Sequence, residues 1–134
     1  MGKLEKIYKE GVALEFKGCP EEALIKYKEG LKEQASDEER MFVAMFHRHI
    51  AVIYEQMGEM LKAKRSFLNA LKHGRPDAYI YLWLGDLSVN RGEMRNADKY
   101  YSRCEELAIL DKDEDLLGLI AKRKYPQRTR RKTR

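Results

Sequence analysis

The chain has 134 residues, with 27 Lys and Arg against 22 Asp and Glu, a formal net charge of +5 and 37% charged residues. Its length fits one domain able to bury about two-thirds of its unfolded surface, and no apolar run approaches the roughly 18 residues that span a bilayer. Two cysteines and an N-terminus without a signal peptide's apolar core point to a reducing, intracellular setting, the cytoplasm first, and exclude a disulfide-stapled secreted scaffold.

From Leu4 to about Lys17 apolar residues recur at helical spacing, with Ile7, Gly11 and Leu14 as the inner stripe. Gly18 supplies a residue able to take φ > 0 where that helix stops. Cys19-Pro20-Glu21-Glu22 starts a second helix, with proline near its first position and acids near the positive end of its dipole. Ala23, Leu24, Tyr27 and Leu31 carry it to about Gln34. Ser36-Asp37-Glu38-Glu39 has the capping-box pattern. It predicts one helix of about 20 residues running through Met41, Ala44, Met45, Ile50, Ile53 and Tyr54 to Met57. Gly58 ends it, and the next helix spans about Glu59 to Lys72 with Leu61, Ala63, Phe67, Ala70 and Leu71 inward. His73-Gly74-Arg75-Pro76-Asp77 is a stop and restart. Residues 78 to 90 form the next helix, Gly92 turns the chain, and Ala97, Tyr100, Tyr101, Cys104, Leu107 and Ala108 make a clean helical stripe. Asp113 to Lys124 is a last helix, with Leu116, Leu117 and Ile120 on one face, basic residues complementing the dipole at its end, and Pro126 terminating it.

The chain repeats itself. Gly58-Glu59-Met60 returns as Gly92-Glu93-Met94, 34 residues later, and Ala63, Phe67 and Ala70 return as Ala97, Tyr101 and Cys104. An earlier copy, Gly18, Ala23, Tyr27 and Gly30, precedes its counterparts by 40 residues, and the six extra are assigned to added turns of the third helix. Small and aromatic residues in a fixed period mean stacked copies of one unit. With Gly11 and Leu14, Ile50, Ala51 and Tyr54, and Leu84, Gly85 and Ser88 in matching places, residues 4 to 111 resemble the tetratricopeptide repeat family.

That resemblance implies an all-α fold, a right-handed α-α superhelix of three helix pairs at about 4–37, 44–77 and 78–111. A capping helix at 113–124 would cover the last apolar face and complete a domain of residues 1–125, followed by a basic disordered tail at 126–134. The chain departs from the family pattern at Ile7, His47 and Tyr81, where tryptophan is usual, with the lone Trp83 two places later. Ser88 replaces an expected tyrosine, and Pro76 stands one place late.

No catalytic constellation is present, so an enzyme, a metal site and a cofactor are not expected. His47 and His49 are two apart and diverge on a helix, so they cannot share a metal as an i, i+4 pair could. Neither cysteine has a CxxC partner, and no Gly-rich phosphate loop occurs.

In this family the first helices line a concave groove that takes a peptide or helix. The groove positions here are Tyr8, Val12, Phe16, Arg48, His49, Val52, Tyr79 and Trp83, an aromatic and arginine-bearing set of the kind that forms binding hot spots. Trp83 fits either the groove or packing between repeats. One subgroup of the family clamps acidic chaperone tails with lysine, asparagine and arginine. Those positions are Tyr8, Val12, His49, Tyr79 and Trp83 in this chain, and none offers a forked donor, so the acidic chaperone tail is not an expected ligand. The reading is a protein-interaction adaptor without a membrane partner. The alternative is a nucleic-acid or ribonucleoprotein factor acting through Arg128, Arg130, Arg131, Lys132 and Arg134, a tract that also leaves the nucleus open as a location.

Overall fold

The computed structural model describes residues 2–124, so the basic tract lies outside the described residues. Within them the chain is all-α, with seven α-helices and no strand. They are α1 (Lys3–Phe16), α2 (Pro20–Lys32), α3 (Arg40–Gln56), α4 (Met60–His73), α5 (Ala78–Asn90), α6 (Met94–Leu110) and α7 (Glu114–Lys124). None is long and apolar enough to cross a membrane. The helix expected from Ser36 onward begins differently. Asp37–Glu39 is a 3-10 turn, and the 17 residues of α3 follow it. The Glu39 carboxylate accepts from the backbone N–H and hydroxyl of Ser36 at 3.3 and 3.1 Å, while the Glu39 N–H donates to the Ser36 carbonyl at 3.0 Å. The capping box therefore tightens its own first turn.

Three helix ends carry a glycine in the left-handed region, Gly18 at φ 78°, Gly58 at 79° and Gly92 at 74°. The residue after each glycine donates its N–H back into the finished helix. Cys19 reaches the Leu14 carbonyl at 2.9 Å, Glu59 reaches Tyr54 at 2.8 Å and Glu93 reaches Ser88 at 2.8 Å. Carbonyls that the helix end would leave bare are satisfied in this way. The same turn occurs a fourth time between α6 and α7, where the Asp113 N–H meets the Ala108 carbonyl at 2.9 Å. There Lys112 holds the left-handed position, at φ 54°.

Packing forms two compact units, Met1–Arg75 and Pro76–Arg134, described over residues 2–75 and 76–124. In the first, α1 packs on α2, α2 on α3 and α3 on α4. Tyr27 and Phe46 are fully buried there among Leu4, Ile7, Ala23, Ile50 and Ile53. A Cβ at Gly11 would run into the Tyr27 ring, and one at Gly30 into the Phe46 ring, so the missing side chains set how closely these helices approach. The buried face of α4 is Ala63, Ser66, Phe67 and Ala70, at i, i+3, i+4 and i+7. Leu61 lies two residues before Ala63 and so on the other side of the helix. It is 62% exposed, not inward as its place in the apolar run suggested. Met41, in the first turn of α3, is 57% exposed.

In the second unit α5 packs on α6 and α6 on α7. Helix α5 buries Ala78, Ile80, Leu82, Leu84 and Leu87 and is apolar over most of its circumference. Asp77 caps it, accepting from the Tyr79 and Ile80 N–H groups at 3.0 and 3.4 Å. The Tyr101 ring covers Gly85 as Tyr27 covers Gly11 in the first unit. Both cysteines are free, and burial pushes the Cys104 thiol up to about 11. Helix α7 docks through buried Leu116 and Ile120, with Leu117 partly buried beside them. Arg123 forks onto Asp86 at 3.2 and 3.3 Å, and Lys124 pairs with Glu105 at 3.2 Å. The basic end of α7 thus holds the helix down as well as complementing its dipole.

Candidate functional site

Tyr8, Val12 and Phe16 recur at i, i+4 and i+8 and so share one side of α1, while Arg48, His49 and Val52 lie on α3, its neighbour in the first unit. Phe16, the last residue of α1, is 90% exposed. Val12, Arg48 and Val52 are half-buried. Tyr8 turns inward more than its groove assignment implied. Its ring lies 5.9 Å from Phe42, 6.3 Å from Phe46 and 5.3 Å from His49, centroid to centroid.

Of the expected site residues, Tyr8 and His49 are brought into direct contact by a four-membered polar network. Glu15 Oε2 accepts from the Tyr27 hydroxyl and from His49 Nδ1, each at 2.8 Å. With the Nδ1 proton directed at the carboxylate, His49 Nε2 is left to accept from the Tyr8 hydroxyl at 3.1 Å. Burial raises the Tyr8 phenol above its ordinary value, against the opposing pull of Arg48. Burial, then the hydrogen bond to Glu15, raises Tyr27 further. Both phenols therefore stay protonated donors, and the network ties α1, α2 and α3 together behind the exposed face. Glu15 was not among the expected residues. The signal was present, since Glu15 is seven residues after Tyr8 and shares its side of α1, but its partners come from other helices. Tyr27 was read for packing alone, and its hydroxyl does this second task.

In the second unit Tyr79 is 39% exposed and donates its hydroxyl to Asp113 Oδ2 at 3.2 Å, at the entry to α7. Trp83 is half-buried on α5. The two α3 histidines diverge, as their spacing requires. His49 joins the network, and His47 stacks on His73 with centroids 5.2 Å apart and planes 15° from parallel. Among the described residues no three His, Cys, Asp or Glu side chains are grouped to hold a metal. Arg128, Arg130, Arg131, Lys132 and Arg134 lie outside the described residues.

No family model matches the chain, and no curated protein matches it by sequence. Solved structures do match in shape. PcrH, in complex with the chaperone binding region of PopB, superposes with TM-score 0.74 at 14% identity, over 90% of this chain and 95% of that one. The C-terminal TPR-containing domain of a Plasmodium falciparum protein gives TM-score 0.68 at 20% identity, over 94% and 91% of the two chains. The Yersinia enterocolitica type III secretion translocator chaperone SycD gives 0.66 at 15%, over 91% and 94%. At these identities the likeness is one of fold, and the fold is an all-α helical-repeat arrangement resembling that of tetratricopeptide repeat proteins.

Proposed function

We propose that the chain is a non-enzymatic adaptor that binds a peptide or helical segment of a partner protein on the α1–α3 face of its first unit. Phe16 is the apolar anchor, with Tyr8 and Val12 also on α1 and His49 and Val52 contributed by α3. The observation that carries this reading is Phe16, a large aromatic side chain 90% exposed on the same side of α1 as half-buried Val12. An amphipathic helix laid there would bury its apolar stripe, the common mode by which a helix enters a groove. The network of Tyr8, His49, Glu15 and Tyr27 stiffens the face beforehand, which lowers the ordering cost of binding. PcrH, similar in fold, is described with a segment of another protein, and that supports the reading.

Peptides selected by display against the full-length chain provide the test. The backbone amide resonances perturbed on saturation should cluster on α1 and α3 around Val12, Phe16 and Val52. Perturbation confined to other helices would refute the assignment of this face.

A further inference from the structure

The first unit has a concavity on another side of α3 from Arg48, His49 and Val52. His47, Ile50 and Tyr54 of α3 form its floor between α2 and α4, and it encloses about 410 Å³. Lys28 from α2 and Lys62 and Arg65 from α4 line it, and no acidic residue does. Both lysine ammonium groups gather over the Tyr54 ring, 5.4 and 5.6 Å from its centroid. Glu29 of α2 is paired with Lys26 at 3.6 Å, and Glu33, just after that helix, with Lys3 at 3.0 Å. Helix α4 carries Lys62, Lys64, Arg65 and Lys72 and no acid along its 14 residues, so nothing on that helix offsets the charge.

A solitary surface lysine needs no partner, since exposed ion pairs contribute little. Convergence is different. Cations from two helices brought to one cleft repel one another, and a ligand of opposite sign removes that cost while gaining attraction from each. Ser66 and Asn69 add neutral hydrogen-bonding groups to the same lining.

We propose that this cleft binds an acidic segment of a partner protein, with Lys28, Lys62 and Arg65 taking its carboxylates. Single-stranded nucleic acid is the poorer fit, because it relies on open aromatic faces for base stacking. The Tyr54 ring is already engaged by two lysine side chains. The cleft shares no residue with the α1–α3 face and stands independently of the function proposed for it.

The probe is a fluorescein-labelled peptide of alternating Glu and Leu, titrated onto the full-length chain at moderate salt, with oligothymidylate as comparator. Saturable peptide binding is expected, with amide shifts at Ser66 and Asn69. Lys62→Gln combined with Arg65→Gln should weaken it at least tenfold, and Lys28→Gln, on a different helix, should weaken it independently. Glutamine removes the Lys28 and Lys62 contacts to the Tyr54 ring, so far-ultraviolet circular dichroism and the urea midpoint check the fold of each variant. Undiminished binding by the double variant would overturn the proposal. So would loss of binding on Arg130→Gln with Arg131→Gln instead, or oligothymidylate binding the cleft as tightly as the peptide.

Discussion

Lys112 shows how one dihedral angle carries a turn. Its φ of 54° places an L side chain where the three equivalent turns use glycine, a conformation that costs on the order of 1 kcal/mol. Lys112→Gly is therefore expected to stabilise the chain by up to about 1 kcal/mol, read as a higher urea midpoint with an unchanged slope; a lower midpoint would mean that the lysine side chain contributes more than its backbone strain costs. Composition marks the turns at Gly18, Gly58 and Gly92, but the fourth is fixed by the helices it joins, so no residue type announces it. His47 makes a second prediction at this scale. Burial, then the neighbouring His73, lowers its imidazole from 6.5 to about 4. Between those values the unfolded chain takes up a proton that the folded chain refuses, so this contribution to stability is complete above 6.5 and is lost as pH falls through the window. A His47→Gln variant should show a flatter dependence of melting temperature on pH across that range. An unchanged dependence would assign the acid sensitivity to another group. The divergence of His47 and His49 was legible from their spacing; their partners His73 and Glu15 were not, because both lie on other helices.

At the scale of elements, α7 separates what periodicity can and cannot read. The stripe of Leu116, Leu117 and Ile120 located the helix and its inner side, yet Leu117 is only partly buried while Leu116 and Ile120 are sealed. Removing Leu116 should therefore cost the most. Leu116→Ala is expected to destabilise the second unit by about 2–5 kcal/mol through lost burial and a residual cavity. Arg123→Ala, which breaks a half-exposed fork on Asp86, should cost about 1 kcal/mol or less. Denaturant titration of the two variants gives the order directly; equal losses would mean that α7 is held by its charges. The 3-10 turn at Asp37–Glu39 teaches the same lesson from the other side. The capping box was visible in Ser36 and Glu39, but whether it opens an α-turn or a tighter one depends on hydrogen-bond geometry that the pattern does not encode.

At the scale of the whole molecule, the helix-pair fold was legible because three copies of one pattern reinforce each other, so a weak signal at Gly11 is supported by Ala51 and Gly85. Charge was less legible. Eight of the 27 basic residues fall in 122–134, which holds no acid, leaving 19 basic against 22 acidic in residues 1–121. That slightly acidic total conceals α4, whose own 14 residues include four Lys and Arg and no Asp or Glu. Recognition of a partner segment on the α1–α3 face is tested most directly by affinity measured against a display-selected helical peptide, at low and at moderate salt. The full-length chain is compared with Phe16→Ala/Val52→Ala and with Arg130→Gln/Arg131→Gln. The first pair should bind at least tenfold more weakly at both salt concentrations, about 1.4 kcal/mol, with helix content unchanged. The second should lose less, and only at low salt, because distant charge acts mainly through screened attraction. Full affinity in the first variant together with abolished binding in the second would contradict the adaptor reading.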